Sequence, residues 1–163
     1  GNKEKPLYDI PLAVERMEAA RAAMDKAGAD VMRTGRAEGF IAGVPDLEQM
    51  IARLKAYAAA GADVLYAPGI KTREQIEAVC KAVAPKPVNF LNGAAFGHSV
   101  ADLASMGVRR ISVGGALARS AWGGFMRMAK EIAEQGTFTG FKDAASGAEL
   151  NGFFAKDKAA REQ

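Results

Sequence analysis

The sequence is poor in the residues that staple or metallate small proteins: of 163 residues, one is cysteine (Cys80), one is histidine (His98) and one is tryptophan. A lone thiol closes no internal disulfide, and without a Cys/His cluster a structural zinc site is excluded, so any metal here takes oxygen ligands. Charge of one sign is equally scarce. The 22 Lys and Arg residues stand against 19 Asp and Glu, leave a net charge of +3, and are interspersed rather than gathered into a stripe. That pattern excludes a nucleic-acid partner. Long apolar runs are missing too: no stretch approaches the roughly 18 to 20 uncharged residues of a membrane span, and the Lys/Glu-rich start is unlike a signal peptide. A cytoplasmic location with no membrane partner is the expectation. What remains, 49% hydrophobic and 25% charged residues, is the make-up of an ordinary globular domain, read as a single domain over residues 1–163.

The most informative positive feature is a repeat. Ala-Gly-Ala-Asp-Val runs from Ala27 to Val31 and again from Ala60 to Val64, with a degenerate copy from Met106 to Ile111. Upstream of the first copy, Leu12, Val14, Met17, Ala20, Ala23, Met24 and Ala27 follow helical spacing, and Gly28 stops the helix. Upstream of the second, Asp46 is an N-cap, Leu47, Met50, Ile51, Leu54, Tyr57 and Ala58 share a face, and Gly61 is the stop. Helices over 72–83, 99–106 and 116–135 complete the series. Strands are predicted near 31–36, 63–67, 87–91 and 110–114, so their starts are 32, 24 and 23 residues apart. Roughly 31 residues per unit is the spacing of a (β/α)8 barrel. Alternation of this kind implies parallel strands, and with no G-x-G-x-x-G turn a dinucleotide-binding sheet is disfavoured. The fold class is therefore α/β, a TIM barrel of which this chain supplies about the last four units, a closing helix and a tail over 136–163. Four units leave strand edges unpaired, so the remaining units are expected upstream of Gly1 or from a partner.

In such a barrel the chemistry sits at the C-terminal strand ends and the loops beyond. After the first strand, Arg36 and Glu38 place a guanidinium and a carboxylate at the mouth, where the Arg can clamp a carboxylate or phosphonate and the Glu can orient it. After the second, Ala67-Pro68-Gly69 brings backbone to the mouth at Gly69. After the third come Asn89, Asn92 and Gly93; the two amides can hydrogen-bond a substrate oxygen, although alternation puts them on opposite sides and Asn92 is the nearer to the loop. After the fourth, Gly114-Gly115 is a phosphate cradle or a tight strand-to-helix joint. His98 reads as a surface residue, and Cys80, beside Ile76 and Val79, as core.

The segments Pro6-Leu7-Tyr8-Asp9, Thr34-Gly35-Arg36-Ala37-Glu38, Ala60 to Gly69 and Arg109 to Arg119 together resemble the isocitrate lyase and phosphoenolpyruvate mutase superfamily over nearly the whole chain. The resemblance implies a (β/α)8 enzyme that binds Mg2+ and a small 2-oxo or 2-hydroxy carboxylic acid and makes or breaks C–C or P–C bonds through an enolate-like intermediate. It makes Arg36 the substrate-carboxylate or phosphonate arginine and Glu38 the acidic residue that follows it. It also implies a homo-oligomer whose last helix is exchanged between subunits, with the apolar tail Ser146 to Phe154 covering a surface.

The departures narrow this. The family's metal-binding aspartates would precede Gly1, so no metal ligand is expected within this chain and the isolated fragment is expected to be inactive. The lid of the lyase branch, Lys-Cys-Gly-His, has no counterpart in Gly1 to Asp9, so the proton-donating thiol is absent and lyase, mutase and decarboxylase chemistry all stay open. Two alternatives stand beside this reading: a phosphate-binding TIM-barrel aldolase or isomerase, against which no strand ends in the lysine of a Schiff-base enzyme, and a catalytically silent half-barrel that assembles with a partner.

Overall fold

A computed structural model describes residues 4–28 and 30–162. Residues 1–3 of the segment Gly1 to Asp9, Ala29 within the first repeat joint, and Gln163 at the end of the tail lie outside the described residues. The described chain forms two compact units, 1–115 and 116–163.

In the first unit, four helices and four strands alternate: α1 (Ile10–Lys26), β1 (Thr34–Arg36), α2 (Leu47–Ala59), β2 (Val64–Tyr66), α3 (Arg73–Val83), β3 (Val88–Leu91), α4 (Val100–Ser105) and β4 (Arg110–Ser112). The strands form one parallel sheet in the order β1-β2-β3-β4. Sequence neighbours pairing in parallel through helices is the arrangement of successive barrel units. The helices start where the caps say. Asp46 Oδ1 accepts from the Gln49 amide at 2.9 Å, while Thr72 with Gln75 and Ser99 with Asp102 close capping boxes at α3 and α4. Gly61 and Gly107 end α2 and α4 with φ of +84° and +98°, the left-handed backbone that glycine adopts without a Cβ clash.

Asp63, the acid of the second repeat copy, pins the strand base. Asp63 Oδ2 accepts from the Arg33 backbone amide at 2.7 Å and from Arg21 Nη1 at 3.3 Å, and Arg33 Nη2 donates to the Ala60 carbonyl at 2.5 Å. That clamp holds the backbone at Arg33, whose carbonyl takes the Asp63 and Val64 amides, so the ladder begins at Thr34 rather than at Val31. The other strands fall inside their predicted spans. Pro87 has no amide hydrogen and stays outside β3, and β4 ends before Gly114, whose φ is +53°.

Register sorts the two sheet faces. Gly35, Leu65 and Val88 align on the helix side, where Leu65, Val88 and Phe90 pack with Leu54, Tyr57, Ile76, Val79, Cys80 and Leu103. A Cβ on Gly35 would meet Tyr57 Cβ at 3.0 Å and Ala62 Cβ at 3.1 Å, so glycine sets how closely β1 approaches α2. Arg36, Tyr66, Asn89 and Arg110 align on the opposite face.

The second unit consists of α5 (Ala116–Gln135), a 3-10 turn (Thr139–Asp143) and α6 (Gly147–Arg161). It begins at the first residue of α5 and contains the tail expected over 136–163. Glu131 ties its turn to the helix by accepting from the Thr137 and Thr139 hydroxyls and from the Thr139 and Gly140 amides, at 2.6 to 3.0 Å. Leu117, Trp122, Phe125, Met126, Phe153 and Phe154 of this unit are exposed. Among the described residues no helix is long and apolar enough to cross a membrane.

Candidate active site

The face opposite the helices carries a row of polar and aromatic side chains. Arg36 is the last residue of β1 and Tyr66 the last of β2, and they are register partners. The Arg36 guanidinium lies over the Tyr66 ring at 5.1 Å from its centroid, within cation–π range. Arg36 Nε pairs with Glu38 Oε1, and Nη2 donates to Glu38 Oε2 at 3.2 Å. Glu38 thus occupies one edge of the fork and leaves the other edge open. Both side chains are more than a third exposed, so the pair adds little stability of its own and is free to meet a ligand.

Next in the row stands Asn89, only 1% exposed. Arg110 Nη1 donates to its Oδ1 at 3.1 Å, and its Nδ2 donates to Ser112 Oγ at 3.0 Å. Asn92 lies past the strand end, where its amide donates to the Ser112 carbonyl at 2.8 Å and its Oδ1 is buried without a partner. Of the two amides, Asn89 is therefore the one that shares the face of Arg36. Gly69 has φ of +100°, and a Cβ there would be 2.6 Å from Phe40 Cβ, so glycine lets the loop after β2 press on the loop that follows Arg36. Gly93 follows Asn92 and contributes backbone only.

His98, read as a surface residue, is half-buried and makes specific contacts. Its Nε2 is 2.8 Å from the Lys71 carbonyl and its ring packs edge-on to Phe90 at 6.1 Å, so it fastens the loop after β3 to the loop after β2. The carbonyl can only accept, so Nε2 carries the proton. Cys80 is buried, and burial pushes its thiol above the usual range, as befits an inert core residue. Among the described residues no three of His, Cys, Asp and Glu gather closely enough to hold a metal ion between them.

Tyr66, Arg110 and Ser112 were not singled out from the sequence as site residues. Their signal is register: once Arg36 is placed at the mouth, its parallel partners across the sheet share its face.

Four parallel β/α units, with a cation, an aromatic ring and a buried amide aligned on the face away from the helices, are the architecture of part of an α/β barrel. A family model described as phosphoenolpyruvate phosphomutase matches residues 1–133, and the chain belongs to that family. The chain is 46% identical to a Burkholderia cenocepacia J2315 protein provisionally assigned as a lyase/mutase, with a TM-score of 0.89 over 95% of this chain and 56% of that one. It is 26% identical to 2,3-dimethylmalate lyase, a member of the PEP mutase/isocitrate lyase superfamily, with a TM-score of 0.75 over 95% of this chain and 52% of that one. It is also 40% identical over 84 residues to the oxaloacetate decarboxylase of Paraburkholderia xenovorans strain LB400, which is 51% of this chain and 27% of that protein. The chain thus spans about half the length of these solved structures. The superfamily resemblance and the barrel class hold.

Proposed function

We propose that this chain supplies the substrate-carboxylate side of a lyase- or mutase-type enzyme that acts on a small 2-oxo or 2-hydroxy carboxylic acid. The observation that carries the reading is Arg36: a guanidinium at a strand's C-terminal end, seated on Tyr66 and held along one edge by Glu38. The open edge offers two parallel N–H donors, the geometry that matches a carboxylate or phosphonate. Asn89, in the same row, adds an amide fixed by its own hydrogen bonds. Fixed donors of this kind stabilise negative charge that develops on an enolate-like species, whether a C–C or a P–C bond is broken. Relatives named for oxaloacetate and dimethylmalate support a small di-acid as substrate.

Mg2+ belongs to this proposal as a cofactor whose ligands lie outside the present residues. These residues are accordingly inactive alone. The exposed apolar residues of the 116–163 unit, Trp122, Phe125, Phe153 and Phe154 among them, support a homo-oligomer in which that unit covers a second copy. The absence of a membrane-crossing helix among the described residues is compatible with a cytoplasmic enzyme.

The test is turnover. The full-length protein, supplied with Mg2+ and a panel of oxaloacetate, phosphonopyruvate, 2-methylisocitrate and 2,3-dimethylmalate, is expected to convert at least one of them, and the 163-residue chain none. Conversion by the short chain would show that its own residues suffice.

A further inference from the structure

Asn89 is held at both ends of its amide, and its partners fix which end is which. Arg110 Nη1 lies 3.1 Å from Oδ1, and Ser112 Oγ lies 3.0 Å from Nδ2. A guanidinium has only donors, so the amide oxygen must face Arg110 and the NH2 must face Ser112. This orientation follows from the chemistry of Arg110 and needs no choice between the amide's two ends. Ser112 Oγ therefore accepts from Asn89, and its own proton is left for another acceptor. Arg110 and Ser112 are the first and last residues of β4, two apart and on one face, with the hydroxyl about 6 to 7 Å nearer the strand's C-terminal end. No carboxylate among the described residues pairs with Arg110, so its donor strength is directed at Asn89. A charged donor at one end of a hydrogen-bond chain polarises the bonds that follow.

We infer that Arg110, Asn89 and Ser112 form a one-way hydrogen-bond relay that presents the Ser112 hydroxyl proton to a carboxylate oxygen of the substrate. Arg110 is the positioning residue and Ser112 the residue that touches substrate. The inference rests on the reading above that this face takes a 2-oxo or 2-hydroxy acid.

In the full-length protein, assayed with oxaloacetate and Mg2+, Ser112→Ala is expected to lower kcat/KM about tenfold, mostly through KM. Ser112→Thr, which keeps the hydroxyl, should return to within about threefold of the starting value. Arg110→Met should lower kcat/KM several-fold, yet add almost nothing when introduced together with Ser112→Ala. An equal loss in both backgrounds, or no rescue by Thr, would overturn the relay. The side-chain amide NMR signal of Asn89 decides the same point without turnover: it should shift in Arg110→Met and in Ser112→Ala and stay in place in Ser112→Thr. An unmoved signal in the first two sinks the relay. If the unmodified protein converts none of the acids while the signal shifts as described, the substrate reading fails and the relay stands.

Discussion

Arg36 and Tyr66 are register partners on neighbouring parallel strands, and the guanidinium of one lies 5.1 Å from the ring centre of the other. The strand ends thus deliver a cation already seated on a ring face, with Glu38 on one edge and open N–H groups on the other.

The ring face should matter more than its hydroxyl. At a partly exposed site a cation–π contact contributes about 0.5 to 1 kcal/mol. Tyr66→Leu in the full-length enzyme is expected to raise KM roughly two- to fivefold, and Tyr66→Phe to leave it unchanged. Steady-state kinetics on the converted acid check this, and an unaltered KM in Tyr66→Leu removes the ring from the site.

Gly69 and Gly43 both have positive φ, +100° and +82°, but only Gly69 is crowded, with Phe40 Cβ 2.6 Å from an added Cβ against nothing within 4 Å at Gly43. Gly69→Ala is expected to cost about 2 to 4 kcal/mol and Gly43→Ala about 1 kcal/mol, in urea denaturation. Equal losses would mean that the approach of the two mouth loops is not set at Gly69.

The Glu131 clip makes a pH prediction. Hydrogen bonds from Thr137 and Thr139 pull its carboxyl down to about 2 from an ordinary 4.5. A depressed acid stabilises the fold fully above the unfolded value and loses that contribution as pH falls through the folded one. Stability of the 116–163 unit should therefore decline between about pH 4.5 and 2, and Glu131→Gln should remove that part of the decline. Trp122, the only tryptophan and a member of this unit, reports it by fluorescence-monitored unfolding. Superimposable pH profiles for the two proteins would show that the clip carries no stability.

The fold was legible because the joint from α2 to β2 is written in residues with one physical meaning: a cap, an apolar face, a glycine stop and an acid at the strand base. Asp46, Gly61 and Asp63 perform those roles. What the sequence could not show was which strand residues stand side by side. Period-two alternation told that Asn89 and Asn92 face apart, but not that Asn89 shares a row with Arg36, because register depends on how Arg33 and Asp63 clamp β1 against β2. For the same reason Arg110 and Ser112 read as ordinary strand residues, and the contact of His98 with Lys71, 27 residues away, is not visible in the sequence. The start of the second unit at Ala116 was hidden because α5 has the same helical pattern as the helices that cover the sheet.

The central claim is that Arg36 binds the substrate's carboxylate or phosphonate, and its replacement in the full-length enzyme tests it most directly. Arg36→Ala is expected to lower kcat/KM by about a hundredfold or more on the converted acid, and Arg36→Lys to recover only part, since an ammonium keeps the charge and loses the fork. Unmodified kcat/KM in Arg36→Ala, on every acid of the panel that the parent enzyme converts, would contradict it.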